Sequence, residues 1–397
     1  MTRGKGTMAS VAADDVLPIA LQRQQRRLVI LLLLAGLLVV GFVVSVGWGA
    51  VSISPAQIAA ILLKSLGLGT LFGGDMAAEG SIEGSIWAFG RREETVLLAI
   101  RLPRAVLAIL VGTALAVSGA ALQGLFRNPL ADPGLIGVST GAALAAAATI
   151  VLGNSLAVAL SARFGFELQA SGGSSLGFLA LPVAAFCGGL VSTFLVYRIA
   201  TRAGQTDVAT LLLAGVAMNA ISAAGVGLLV FLSDDQQLRD LNFWMLGSLG
   251  GVTWTKIGTV APFVLGASIA LVLFSRHLNA LLLGEREAQH LGFRIEWIKR
   301  AIVLLVALAT GASVAVTGVI GFVGLVVPHL VRLSLGADHK TLLPASMLLG
   351  ASLLLVADLA ARSVVLPAEL PIGILTSCVG GPFFLWLLMR ARNRGVW

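Results

Sequence analysis

The sequence predicts an all-α polytopic membrane protein with about ten transmembrane helices. Two observations carry this. Hydrophobic residues make up 57% of the 397-residue chain and charged residues only 12%, about half the ~25% charge of soluble domains. The mean hydropathy is +0.97. The apolar residues also gather into runs of roughly 20, the length at which a helix crosses a ~30 Å hydrocarbon core. The 47 glycines suit helices that pack closely through small residues.

Residues 1–27 read as a basic cytoplasmic tail holding Arg3, Lys5, Arg23, Arg26 and Arg27. The run from Leu28 to Ala50 exceeds the roughly 7–15 residue apolar region of a cleaved signal, and no small-residue cleavage site follows it. It is therefore read as a retained first helix with its N-terminus in the cytoplasm, opening a single transmembrane domain over 28–397. The spans are placed at 28–50, 102–126, 135–156, 176–198, 208–232, 257–275, 299–318, 322–335, 342–361 and 372–390. The stretch from Ala301 to Leu335 is too long for one span, about 50 Å as a single helix. Gly318, Gly321 and Gly324 mark the turn that divides it. Ten spans return the C-terminus to the cytoplasm.

The net charge of +8 fits this topology rather than nucleic-acid binding. Inside loops hold more Lys and Arg, among them Arg127, Arg198, Arg276, Arg294 and Arg390, than outside loops do. Outside, 51–100 contains a surface helix at Ser54–Leu66 with Pro55 in its first turn. The stretch 153–175 is Gly/Ser-rich and irregular, and 233–251 ends in a short interfacial helix around Phe243 and Trp244. Cys187 and Cys378 read as buried small hydrophobes, not as a disulfide or metal pair.

Four patterns carry chemistry. Arg101 and Arg104, three apart, share a helix face at the outer end of the second span, and Arg362 stands at the outer end of the ninth. By composition alone they are interfacial anchors that snorkel to headgroups; their rigid donor forks also suit carboxylates. Second, Phe126-Arg-Asn-Pro-Leu-Ala-Asp-Pro-Gly134 carries two prolines that prevent regular helix. It reads as a plain interspan loop or as broken backbone along a cavity, with Asp132 capping the next helix. Third, His277–Trp297 reads as two short amphipathic cytoplasmic helices in which Ala288 and Leu291 share a face. Fourth, the fifth and tenth spans are rich in small residues and hold Asn219, Ser222, Thr376 and Ser377. These residues either face a pathway or hydrogen-bond between helices.

Other signals fail. Gly137-Val-Ser-Thr-Gly141 matches a nucleophile elbow but has no preceding strand and no His partner. The histidines show no metal spacing, and no phosphate-binding loop occurs, so any ATP chemistry belongs to another chain. Acids inside the spans are scarce, Asp358 being the clearest, which weighs against an ion-coupled secondary transporter, the rival functional class.

The segments RLPR, QGLFRNPLADPGLIGVSTGA, LLLAGVAMNA, FWMLGSLGGVTW, LLLGEREAQHLG, TGVIGFVGLVVPHLVRL and ADLAARSVVLPAELPIG resemble the FecCD family. These are permease subunits of bacterial type II ABC importers for iron–siderophores, haem and cobalamin. The resemblance, over about Ile30 to Arg390, implies a homodimer in the bacterial inner membrane. It implies two ATPase subunits that bind ATP and Mg, a periplasmic binding protein, and no enzyme activity or cofactor in this chain. It implies that Arg101, Arg104 and Arg362 dock the binding protein. Asn128, Pro129 and Leu130 form a cytoplasmic gate. Gly284, Glu285, Ala288, Leu291 and Gly292 couple to the ATPase, and Asn219, Ser222, Thr376 and Ser377 line the path. The RNPLADPGLIGVSTGA wording is most like haem permeases, with ferric siderophore or cobalamin as the alternative cargo.

Overall fold

The computed structural model describes residues 11–49, 51–67, 89–164, 175–365 and 368–393. Among these, fifteen α-helices follow in order: α1 (Val11–Gly47), α2 (Pro55–Ser65), α3 (Arg91–Thr95), α4 (Leu102–Leu125), α5 (Val138–Phe164), α6 (Ser175–Ala200), α7 (Val208–Leu232), α8 (Asp235–Leu246), α9 (Trp254–Leu273), α10 (Ser275–Leu283), α11 (Glu285–His290), α12 (Ile295–Thr317), α13 (Val323–Leu335), α14 (His339–Ala361) and α15 (Ile372–Asn393). The strands β1 (Thr201–Arg202) and β2 (Gln205–Thr206) form a small antiparallel hairpin between α6 and α7. Among the described residues seven helices are long and apolar enough to cross a bilayer, and α13 and parts of α5 and α15 are shorter apolar helices. Together they are the ten runs read from the sequence. The end of the bundle where α1 begins, expected to be cytoplasmic, is the inner end; the other is the outer end.

The centre is α4. It is apolar all round, as a helix enclosed by others must be, and 89% of its span is buried against 11% for α1 and 17% for α7. Its small residues let neighbours approach. A Cβ added at Gly112 would lie 2.7 Å from the Gly350 carbonyl carbon and 2.9 Å from Ala351 Cα. Only two backbones in contact leave so little room, so α4 and α14 meet through glycine. The outward faces of α1 and α7 expose Leu33, Val39, Leu213 and Phe231, as hydrocarbon requires.

Several expected boundaries shift. The second span begins early: α3, a π-helical turn (Val96–Arg101) and α4 run on as one helix, Arg91–Leu125. The segment expected to be irregular from residue 153 instead continues α5 to Phe164, because Ala and Leu outweigh Gly153 there; the rest of that segment, 165–174, lies outside the described residues. Only Gly318 of the three proposed turn glycines takes positive φ, at 71°, while Gly324 is helical in α13. Cys187 and Cys378 are exposed on the subunit surface rather than buried, because their helices turn that face outward.

Candidate functional site

The outer end gathers the three arginines. Arg101 closes the π turn, a geometry often found at functional sites. Its guanidinium donates to the carbonyls of Val46 and Gly47, each at 2.9 Å, and to that of Val51. The end of α1 leaves such carbonyls without helical donors. Arg104 donates through Nε to Asp358 Oδ1 at 2.8 Å and through Nη1 to both oxygens of Glu369 at 2.8 and 2.9 Å. Arg362 donates to the Ser45 carbonyl and to Ser45 Oγ and the Trp48 carbonyl, both at 3.0 Å. Its Nε stands 3.5 Å from Asp358 Oδ2. Arg101 and Arg104 are 7% and 8% exposed, so these guanidiniums tie α1, α4, α14 and the Glu369 loop together. They are not free forks. Glu369 is the open member of the cluster, its side chain half exposed.

At the other end of α4 the chain breaks as the prolines require. Arg127 takes φ 50°, Asn128 Oδ1 accepts the Leu130 N–H at 2.9 Å, and Asp132 caps the 3-10 turn Pro133–Ile136 by accepting the Gly134 N–H at 2.8 Å. This segment re-enters the bundle. A Cβ on Gly324 would meet Leu115 O and Pro133 Cδ at 3.0 Å and Asp132 Oδ2 at 3.2 Å, and Leu115 is midway along α4. Non-helical backbone at that depth needs protein partners. Asn219 of α7 supplies one, donating to the Gly134 carbonyl at 3.2 Å while accepting from Thr140 Oγ1 at 2.6 Å. Asn128, Pro129 and Leu130 lie half-buried at the inner mouth of this re-entrant segment.

The other polar residues of α7 and α15 do not converge with Asn219. Ser222 is buried with no partner for its Oγ among the described residues. Ser377 is exposed. Thr376 donates to the Gly373 carbonyl of its own helix and borders an apolar cleft of about 290 Å³ shared with Phe322, Val323 and Leu353.

At the inner end, α10 and α11 form two short helices joined at Gly284, whose φ of 124° suits glycine. Gly292, at φ 87°, turns the chain into α12. The aromatic rings of Phe274, His277, Phe293 and Trp297 cluster between α10 and α12, with centroids 5.0–6.5 Å apart; Phe274 stacks on Trp297, and His277 meets Phe293 and Trp297 edge-on. The expected shared face of Ala288 and Leu291 is not formed. Ala288 packs into the core at 0% exposure while Leu291 is 62% exposed, because the helix ends at His290 and Leu291 swings out as its C-cap. Leu283, Arg286 and Leu291 are thus among the residues presented outward, with Glu287, Gln289 and His290 beside them. Glu285 is turned inward to Lys299, at 2.8 Å.

Sequence reasoning missed Asp358 and Glu369 as partners of Arg104, and took Lys299 only as one of the inside-loop cations. The signals were present: Asp358 and Arg362 are spaced i,i+4, and Lys299 is a cation three residues after Glu296 at the mouth of an apolar run.

A buried arginine cluster at one end, a re-entrant break beside the central helix and a paired amphipathic helix at the other end define a multi-pass permease. The chain belongs to the FecCD transport family, whose profile matches residues 37–390. It is 48% identical over 299 residues to the hemin transport system permease protein HmuU of Yersinia pestis, covering 75% of this chain and 84% of that one. It is 41% identical over 303 residues to the cobalamin import system permease protein BtuC of Halobacterium salinarum, covering 76% of each. A solved metal-chelate type ABC transporter in an inward-facing conformation superposes with a TM-score of 0.71 at 32% identity, over 91% of this chain and 99% of that chain.

Proposed function

We propose that this chain is the translocating subunit of an importer that carries haem across the bacterial inner membrane, with both termini in the cytoplasm. Two copies form the path. A periplasmic binding protein delivers haem at the outer end, and two separate ATPase subunits bind ATP and Mg and grip α10 and α11. The observation that carries this reading is the inner-end pair of short helices presenting Leu283, Arg286 and Leu291, beside a re-entrant segment packed on the central helix. Binding of nucleotide by the partner then shifts the permease between two states through differential contacts, with no covalent step in this chain. Asn128, Pro129 and Leu130 stand where an inner gate is needed, while Asn219 fastens that segment to α7.

Haem as cargo rests on the similarity to the Yersinia hemin permease; the cobalamin permeases at 41–42% identity support cobalamin as the second reading. Docking at the outer end through Arg101, Arg104 and Arg362 would require them to exchange their internal partners, and of these Arg104 is the accessible one, through exchange of the half-exposed Glu369. Proteoliposomes holding the permease, its ATPase and its binding protein decide the cargo. Haem should stimulate ATP hydrolysis and accumulate inside. Stimulation by cobalamin or a ferric siderophore, with none by haem, would overturn the assignment.

A further inference from the structure

Lys299 is buried, 4% exposed, and a buried ammonium persists only when paired. Its Nζ donates to the Thr206 carbonyl at 2.8 Å, to Glu285 Oε2 at 2.8 Å and to Glu296 Oε1 at 3.3 Å, using all three of its hydrogens. The other oxygen of Glu296 accepts the Thr206 N–H at 2.9 Å. The Lys299–Glu296 pair of α12 therefore holds the backbone of Thr206 from both sides. Thr206 ends the β1–β2 hairpin. The next residue, Asp207, caps α7 by accepting the Thr210 N–H at 2.8 Å. Glu285 is the first residue of α11. A polar cleft of about 210 Å³ beside Lys299 is also lined by Phe126 and Arg127, where α4 ends and the re-entrant segment begins. One buried cation thus touches the start of α11 and the entry to α7, and borders the mouth of the re-entrant segment.

We propose that Lys299 is a positioning residue that transmits movement of α11 to α7 and, through Asn219, to the re-entrant segment. This rests on the reading that a partner ATPase grips α10 and α11. The covalent route from α11 to α7 runs backwards through α10, α9 and α8. The ammonium closes a direct route of two hydrogen bonds, from Glu285 to Thr206. A displacement of α11 pulls on Lys299, and Thr206 follows because its N–H and carbonyl are both held. Without the ammonium, α11 can respond to nucleotide while α7 stays behind.

The test uses the full complex of permease, ATPase and binding protein in proteoliposomes, measuring cargo taken up per ATP hydrolysed. Lys299→Met should lower this ratio about tenfold, within the usual range of coupling between two sites, and Lys299→Arg should restore most of it. A spin-label pair on α11 and α7 should show nucleotide-dependent movement of both helices in the wild type and of α11 alone in Lys299→Met. Where Lys299→Met fails to assemble, Glu285→Gln decides, since it keeps the side-chain volume and removes the charge that pairs α11 with Lys299; its ratio should also fall. A wild-type ratio in an assembled Lys299→Met complex, or in Glu285→Gln, overturns the proposal and leaves the importer reading intact. A wild-type complex without ATP-dependent uptake overturns both.

Discussion

Replacing Asp358 by Asn tests which carboxylate holds the outer-end arginine cluster together. Asp358 is 1% exposed and takes Arg104 Nε at 2.8 Å, with Arg362 Nε facing its second oxygen at 3.5 Å. Removing one partner of a buried ion pair costs about 3–5 kcal/mol, because a buried charge is left uncompensated. Glu369 still holds Arg104 Nη1 in the variant, which places the cost near the lower limit, about 3 kcal/mol. Glu369 itself is half exposed, and exposed pairs contribute about 0.2–1 kcal/mol, so Glu369→Gln should cost under ~1 kcal/mol. Thermal unfolding in detergent, followed by tryptophan fluorescence, reads the difference. At roughly 2 °C per kcal/mol for a large chain, Asp358→Asn should lower Tm by about 6 °C and Glu369→Gln by no more than about 2 °C. Equal shifts, or an unaffected Asp358→Asn, would refute the reasoning that the inner carboxylate holds the cluster and the outer one only covers it.

The same geometry bears on how the proposed docking role is probed. Charge reversal at Arg101 and Arg104 would break internal bonds to Val46, Gly47 and Asp358, so Glu369→Gln is the cleaner variant. It should tighten binding-protein affinity several-fold at low salt by freeing Arg104, and unchanged affinity in a surface-binding assay would exclude exchange at this pair. Gly112→Val should lower the yield of monodisperse protein on size-exclusion chromatography, since overpacking costs about 1–3 kcal/mol. Gly227→Val, where no atom lies within 4 Å of the added carbon, should not. Asp338 gives a pH dependence. Burial works to raise its pKa, but hydrogen bonds from Asn279 and the Lys340 N–H, with the Arg27 guanidinium, hold it below the ordinary carboxylate range. The stability it contributes is therefore present above the unfolded value of about 4 and is lost as pH falls through the lower folded value. Asp338→Asn, which keeps an N-cap acceptor for α14, should flatten that acid-side loss in melts run from pH 6 down to 3.

The ten spans were legible because hydrophobic length alone decides what crosses a bilayer. The re-entrant break was legible because two prolines leave the chain no helical alternative. The helical lead-in from Arg91 was not. Arg91, Arg92, Glu93 and Glu94 are polar, and Lys64 holds Glu94 at 2.9 Å across a separation no periodicity shows. The arginines were found by position, but their environment was not, since Arg104 meets Asp358 and Glu369 at sequence separations of 254 and 265. Ala288 was misplaced for a local reason: a six-residue helix is too short for a face argument to survive its own C-cap. The role of Lys299 escaped notice because one cation at the edge of a span reads as a topology signal, and only the fold brings Thr206 and Glu285 to it.

The central claim is that this chain is a passive conduit driven by a separate nucleotide-binding partner. Haem uptake against a gradient, measured in proteoliposomes holding the permease with and without its ATPase, tests it most directly. Accumulation should require both the ATPase and ATP; equal uphill accumulation by the permease alone would contradict the account.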